Sequence, residues 1–257
     1  MLPREEGGRR LQGGPPKSPP LVSILTVLFQ ARRDLEQLLE SILPRMDANM
    51  EFIVVDGGSN DGTRELLREH DAHIDYWLSE PDHGVYDAMN KAIAAASGVF
   101  LLHLNAGDRL LSIPRRELEA LAAGPTAAAA FRVLLDGRRE FRPSYGAALR
   151  FHNTLHHQGT FFRRACFPQY DTSYRVFADF DVNQRLALRG SPVAIFDEVV
   201  ASYTSGGLSS VASRENIDEF FAIIAKNYGR SHLPIAWLLC KWRGLFARLV
   251  RGRRQSG

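Results

Sequence analysis

Cysteine is scarce in this chain. Cys166 and Cys240 are the only two in 257 residues, stand far apart and share no CxxC spacing. They supply neither a disulfide framework nor a zinc ligand set, and they fit a reducing compartment. Long apolar runs are missing as well. None approaches the roughly 20 residues that a bilayer-spanning helix needs, and the first residues lack the apolar core of a signal peptide. There is no Gly-rich loop ending in Gly-Lys-Ser/Thr and no Gly-x-Gly-x-x-Gly fingerprint, which excludes P-loop and dinucleotide sites of the standard kind. HExxH is absent. An excess of one charge sign is also lacking in the central region. The formal net charge is +3 and its surplus sits in the two tails, so no nucleic-acid partner is expected.

What is present is ordinary globular composition, 45% hydrophobic and 24% charged, enough for one large α/β domain or two small ones. Met1 to Pro20 is rich in Gly, Pro and Arg and is expected to be a disordered tail. From Leu21 the chain alternates. Leu21 to Leu28 is a β-rich run. Leu35, Leu38, Leu39 and Ile42 mark an amphipathic helix that ends near Pro44. Glu51 to Val55 is a second strand, followed by a turn and a helix carrying Leu66 and Leu67, and Ile74 to Ser79 is a third. Strand-helix alternation is the signature of right-handed βαβ units in a mostly parallel sheet.

The stretch from Ser79 to Leu110 organises the rest. Val85, Ala88, Met89, Ala92, Ile93 and Ala96 fall at i, i+3, i+4, i+7, i+8 and i+11, one face of a helix, with Asp87, Asn90 and Lys91 opposite. Gly98 is placed for a left-handed cap. Val99 to Leu104 then reads as a buried parallel strand, and Asn105-Ala106-Gly107-Asp108 stands at its carboxyl end. Ligands bind outside the carboxyl ends of strands in open α/β sheets, so an acidic residue in this small turn is a candidate metal or phosphate site.

Other segments leave two readings open. Asp56-Gly57-Gly58-Ser59-Asn60-Asp61-Gly62-Thr63 is a capped βα loop, or a nucleotide site in which Asp56 accepts hydrogen bonds from a base. Past Leu110 the alternation weakens. Asp136-Gly137 marks a hairpin turn. His152, His156 and His157 precede a strand at Gly159 to Arg163 and suit a polar cleft wall or structural histidines better than zinc. Asp179 and Asp181 open a helix, where a carboxylate caps the N-terminus or does chemistry. Val193 to Phe196 and Val199 to Tyr203 read as short strands, and Ile217, Phe220, Phe221, Ile224 and Tyr228 as a helix. Leu233 to Val250 carries Leu238, Trp242, Leu245 and Leu249 on one helical face, with Lys241, Arg248 and Arg251 away from it. Such a basic, Trp-bearing helix suits an anionic membrane surface, or packs on the core with a solvated basic face.

The order of these pieces carries more than any one of them. VSILTVLFQ, EFIVVDGGSNDGT, SEPDHGVYDAMNKAIAAASG, FLLHLNAGD, HHQGTFF and ADFDVNQRL together resemble the family 2 glycosyltransferases over roughly Leu21 to Ser209. The closest likeness is to bacterial members that build exopolysaccharide or O-antigen units. The resemblance implies an α/β protein of the GT-A fold, with a nucleotide-sugar half over 21–110, an acceptor half over 111–230 and a basic membrane-associating tail over 231–257. It implies inverting transfer from a nucleotide-sugar to a saccharide or lipid-linked acceptor, at the cytoplasmic face of the membrane, with Mn²⁺ or Mg²⁺. On this resemblance Thr26 and Asp56 lie in the base pocket, Asp87 and Asn105 stand with the donor, and Asp108 is the metal-binding carboxylate. Asp179 is the general base, with Asp181 in reserve. Gln158 and Gly207 border the acceptor or diphosphate. The chain departs from the family pattern at Gln30, Met89, Asn105, Gly107 and Ala178. The thinned acidic motif also fits a non-catalytic nucleotide-sugar-binding partner of another transferase, which donor hydrolysis would separate from an enzyme.

Overall fold

The computed structural model describes residues 3–13, 18–204 and 213–252, with side chains as far as residue 242. In chain order the elements are β1 (Glu5–Gly7), α1 (Arg9–Gly13), β2 (Val22–Leu28), α2 (Arg32–Ile42), β3 (Met50–Asp56), α3 (Thr63–Glu69), β4 (Tyr76–Ser79), α4 (Val85–Ala95), β5 (Phe100–His103), β6 (Arg109–Leu110), α5 (Arg115–Ala122), β7 (Ala128–Leu135), β8 (Arg139–Phe141), β9 (Thr160–Arg163), α6 (Ala178–Leu188), β10 (Val193–Tyr203), α7 (Arg214–Tyr228) and α8 (Leu233–Gly252).

One mixed sheet joins the described strands in the order β1-β4-β3-β2-β5-β9-β7-β10-β6, with β8 beside β7. β4, β3, β2 and β5 run parallel, whereas β9 runs antiparallel between β5 and β7. Every residue of β2 and β3 is buried, as the unbroken apolar runs demand of strands covered on both faces. Val22, Ile24, Phe52 and Val54 point to the side packed by Leu35, Leu38, Leu39 and Ile42 of α2 and Leu66 and Leu67 of α3. Leu25, Val27, Ile53 and Val55 point to the other side, against α4 and α6. Burying each such side chain contributes about 1.5–3 kcal/mol. A third, smaller cluster joins Leu149, Phe180, Ile223, Ile224 and Ala236, tying α6, α7 and α8 together.

Three expectations change here. The segment before Pro20 is not a featureless tail. β1 pairs antiparallel with β4, Glu5 bridges Arg64 and Arg68 at 2.7 and 2.6 Å, and the amide of Gly8 donates to Asp71 Oδ1 at 2.6 Å. A three-residue strand has too few positions to show a period, and its partners lie 59 to 74 residues away in sequence. Gly98 is not a left-handed cap either. α4 ends at Ala95, the next residue is extended, and Gly98 does not take a left-handed φ. Its lack of a side chain serves packing instead, because a Cβ would stand 2.5 Å from Ser23 Oγ and 2.8 Å from the Ser23 amide nitrogen. Finally, the two short strands expected over 193–203 are one strand, β10, with register shifts at Val199. A bulge breaks the alternation that a continuous strand would have shown.

Candidate active site

The chain leaves β2 toward β3 on one side and returns to β5 on the other. This is the reversal of strand order that opens a crevice at the carboxyl ends. Asp56 ends β3 there, fully buried. Its Oδ2 accepts the Ser59 amide at 2.9 Å and the Ser79 hydroxyl at 2.6 Å, and Oδ1 accepts the Ser59 hydroxyl. Thr26 is equally buried, and its hydroxyl donates to the Leu104 carbonyl at 2.6 Å. Both side chains therefore lock the strand ends from inside and present no polar atom to the crevice. The turn after Asp56 is pinned to the end of β2, with the Ser59 hydroxyl accepting the Gln30 amide at 2.7 Å. Gln30 itself sits at φ 52°, a left-handed position that asparagine adopts more readily.

Asn105 to Asp108 closes on itself. The Asp108 amide donates to the Asn105 carbonyl at 3.0 Å, and the Asn105 amide donates to Asp108 Oδ2 at 2.8 Å. Gly107 takes φ 90°, which only glycine adopts without strain. The Gln158 amide adds a third contact, donating to Asp108 Oδ2 at 3.1 Å. Asp108 is only 3% exposed. Burial pushes its carboxyl up to about 6, against the lowering pull of His157, the Asn105 amide and Gln158. Asn105 Oδ1 is buried with no hydrogen-bond partner among the described residues. A carboxylate that is costly to ionise and an orphaned amide oxygen in one turn form a hard-oxygen pair suited to Mg²⁺ or Mn²⁺. No group of three or more His, Cys, Asp or Glu side chains among the described residues could hold a metal unaided, so a cation here would take its remaining ligands from phosphate and water.

Across the crevice lies the first turn of α6. Asp179 Oδ1 accepts the Phe180 amide at 2.8 Å. Its Oδ2 accepts the Asn153 side-chain amide at 2.9 Å and lies 3.5 Å from His157 Nδ1. Asp181, two residues on, points the opposite way. It is fully buried, 2.8 Å from Arg185 Nε, and accepts the Asn227 amide at 3.0 Å. It ties α6 to α7 and does not reach the crevice, because residues i and i+2 of a helix do not share a face. Asp87 is also engaged, accepting the His83 amide at 3.1 Å and pairing with Lys91 at 3.2 Å. It lines a neighbouring cavity with Gly84, Tyr174 and Arg175.

Asn105, Asp108, His157, Gln158, Arg175 and Tyr203 line one cavity of about 220 Å³ with the start of α4. The structure thus brings Asn105 and Asp108 together with the segment that leads into α6, and it leaves Thr26, Asp56, Asp87, Asp179 and Asp181 outside the lining of this cavity. Gly207 lies outside the described residues. In the sequence His157 belongs to a histidine-rich segment, and nothing there singles out Asn153 or Arg175. The only available signal for His157 was the cluster itself. Within that cluster His156 is held neutral by burial, its value lowered to about 4. Nearby His103 is lowered to about 3 by the same cause.

Comparison with known proteins fits this geometry. The family model described as Glycosyl transferase family 2 matches residues 23–162. A PGL/p-HBAD biosynthesis glycosyltransferase of Mycobacterium bovis is 32% identical over 207 residues, covering 74% of this chain and 80% of that protein. Residues 1–349 of Staphylococcus aureus TarS, solved in complex with UDP, superpose with a TM-score of 0.63 at 14% identity, over 80% of this chain and 64% of that one. The mannosyltransferase PcManGT of Pyrobaculum calidifontis, solved with GDP-Man and Mn²⁺, superposes with a TM-score of 0.57 at 18% identity, over 80% of this chain and 64% of that one. At these identities the structural likeness speaks for the fold alone, an α/β domain like the GT-A transferases.

Proposed function

The chain belongs to glycosyl transferase family 2, and from that premise we propose that it transfers a hexose from a nucleotide-sugar to an acceptor hydroxyl with inversion. The acceptor is a saccharide or lipid-linked saccharide of a cell-surface glycan, met at the cytoplasmic face of the membrane. One observation carries this reading: a cavity at the strand-order reversal in which Asn105 and Asp108 stand with His157 and with Arg175 and Val176, the residues that lead into α6.

Asp108 and Asn105 Oδ1 are the atoms that would hold a divalent cation, which when bound neutralises the charge growing on the departing diphosphate. The tight turn keeps both oxygens in place before substrate arrives, so little reorganisation is needed. Arg175, exposed at the cavity rim, supplies a further positive charge toward the diphosphate. Thr26 and Asp56 shape the floor beneath the base. The acceptor approaches from the α6 side, opposite the leaving group, as inversion requires. Its proton leaves into the cluster of Asp179, Asn153 and His157. The test is a panel of UDP-, GDP-, dTDP- and CMP-sugars with Mn²⁺, Mg²⁺ or EDTA. Metal-dependent release of one nucleotide is expected. No release, together with no thermal shift from UDP, GDP, dTDP or CMP, overturns the reading.

Membrane association rests on α8. Ala236 is buried against the small third cluster, while Ile235, Trp237, Leu238 and Trp242 are each more than half exposed. The Lys241 ammonium lies 3.9 Å from the Trp237 ring centroid, a cation beside an aromatic at the interface of an amphipathic helix. No described helix is long and apolar enough to cross a membrane, so this contact would be interfacial. Replacing Trp237 and Trp242 together with alanine should weaken binding to phosphatidylglycerol vesicles by about tenfold or more, the equivalent of about 1.4 kcal/mol. Co-sedimentation unchanged from the unsubstituted protein would remove the membrane role.

A further inference from the structure

The entrance to α6 is held from outside the helix. Its N-cap residue, Phe177, makes no side-chain cap hydrogen bond, and such an end leaves backbone amides without acceptors. Glu219, in the second turn of α7, supplies the acceptor. Its Oε2 accepts the Arg175 amide at 2.7 Å, and its Oε1 accepts the Val176 amide at 2.9 Å and the Phe177 amide at 2.6 Å. Bonds to an ionised acceptor are roughly twice as strong as neutral ones. The neighbouring Asp218 has no comparable role, with its side chain 73% exposed. From the other side, the Tyr86 hydroxyl of α4 donates to the Val176 carbonyl at 2.5 Å. The segment so clamped carries the groups of the cleft. Arg175 and Val176 line the cavity that holds Asn105 and Asp108. Asp179, two residues past Phe177, meets the Asn153 side-chain amide at 2.9 Å. The rest of α7 is anchored independently, by Ile223 and Ile224 in the third cluster and by Asn227, which donates to Asp181 and Gln184 at 3.0 and 2.9 Å.

We propose that Glu219 is a positioning residue of the transfer reaction. From α7 it holds residues 175–177, so that Arg175 stays at the cavity rim and Asp179 stays against Asn153. The inference rests on the transferase reading above. Glu219 lines neither of the two cavities, so it acts through the backbone that it holds. Reacting groups misplaced by about 1 Å cost about 10²-fold in rate. The strand ends beneath the base do not depend on Glu219, because Asp56 and Thr26 are fixed by Ser59, Ser79 and the Leu104 carbonyl. Loss of Glu219 therefore slows the chemical step and spares most of nucleotide binding. Glutamine at this position keeps the side-chain length but has one acceptor oxygen, and its NH₂ group opposes at least one of the three amides.

The test uses the full chain and compares Glu219→Ala, Glu219→Gln and a control, Ile224→Ala, which loosens α7 without removing an acceptor. Turnover is read on the panel nucleotide-sugar that the unsubstituted protein hydrolyses fastest, with water as acceptor. Amide exchange over 175–177 is read by mass spectrometry. Glu219→Ala should lose about 10²-fold in kcat, and Glu219→Gln about tenfold, the rate equivalent of one lost hydrogen bond. Both should bind the matching nucleoside diphosphate within about fivefold of the starting affinity, the reach of one exposed charge at Arg175. Exchange at 175–177 should be about tenfold faster or more in Glu219→Ala. Ile224→Ala should lower the melting temperature at least as far as Glu219→Ala, yet keep kcat within about threefold. Glu219→Ala within about threefold of the starting kcat overturns the proposal, and so does exchange that does not change. Where Glu219→Ala does not fold, an undiminished kcat in Glu219→Gln overturns it alone. Ile224→Ala slowed as much as Glu219→Ala overturns it too, by making general loosening of α7 the cause. Loss of nucleotide binding in both Glu219 variants does the same, because the fault then lies in the donor pocket. The exchange measurement needs no turnover and judges the clamp even where water is a poor acceptor. A starting protein that turns over no donor and binds no nucleotide overturns the transferase reading itself, a separate failure.

Discussion

Replacing Asp108 with asparagine is expected to slow metal-dependent donor turnover by orders of magnitude and, in the absence of cation, to make the protein more stable at pH 8. The two effects have one cause. Burial lifts the Asp108 carboxyl from 3.8 to about 6. A folded-state value above the unfolded one means that the folded protein binds the proton more tightly. Stability is therefore highest below the unfolded value, falls as pH rises from 3.8 to 6, and stays low above it. Two pKa units correspond to about 3 kcal/mol. Asparagine keeps an oxygen to accept the Asn105 and Gln158 amides but carries no charge to desolvate. The melting temperature of Asp108→Asn should exceed that of the unsubstituted protein by several degrees at pH 8, with the gap narrowing as pH falls below 6 and closing below about 3.8, where the aspartate is protonated in both the folded and the unfolded chain. Turnover should fall by about 10²–10³-fold, the scale for removing one preorganised electrostatic contact. Calorimetry across pH and donor hydrolysis with Mn²⁺ check both halves. A gap that does not change with pH would mean that charge is not its source, and turnover within threefold would remove Asp108 from the machinery. The wild-type protein should also be stabilised by Mn²⁺ more at pH 8 than at pH 5, since only the ionised carboxylate binds cation.

The second large effect lies at the opposite end of the sheet. Glu51, at the start of β3, is 1% exposed. It accepts the Ser97 amide at 2.6 Å, the Ser97 hydroxyl at 2.8 Å and the Gly98 amide at 3.0 Å. It also accepts the Ser23 hydroxyl at 2.5 Å and pairs with Arg10 of the N-terminal segment. Glu51→Ala leaves the Ser97 amide without its acceptor and removes the counter-charge of Arg10 from the interior, and should destabilise the fold by about 3–5 kcal/mol. Arg10→Ala should be milder, about 1–2 kcal/mol. Its partner keeps four hydrogen bonds, and the Arg10 side chain is already 18% exposed. The ordering is what urea denaturation must find. An Arg10 variant as damaging as the Glu51 variant would mean that the ion pair, and not the amide network, holds this corner. The corner matters for the site because Ser97 and Gly98 link α4 to β5, and β5 delivers the Asn105–Asp108 turn.

The sheet was legible in the sequence because β2, β3 and β5 are buried on both faces, and two-sided burial forces continuous apolar runs. α2 and α4 were legible because each buries one stripe, and α7 because its aromatic and aliphatic residues recur at helical spacing. The hairpin at Asp136-Gly137 came through as well, since both residues adopt positive φ, 52° and 63°, as a tight two-residue turn demands. The N-terminal strand was not legible. Its stability comes from Arg64, Arg68, Asp71 and Glu51, none of them neighbours in sequence. Glycine-rich, basic composition says nothing of such partners.

The site divides along the same line. The sequence by itself determined that an acidic turn follows a buried strand, that carboxylates open a later helix, and that both belong to a family 2 transferase pattern. Those are local facts, written in residue type and spacing. Only the tertiary structure decided which carboxylate meets Asn153 and His157 and which ties α6 to α7. Asp179 and Asp181 are equivalent in composition and two residues apart, and the angle at which α6 meets the sheet turns one toward His157 and the other toward α7. Only the tertiary structure sealed Thr26 and Asp56 inside the strand ends, and only it set His157 between Asp108 and Asp179. Those three residues are 49 and 22 positions apart. Their meeting depends on β9 entering the sheet antiparallel between β5 and β7, a long-range pairing whose partners no local pattern names.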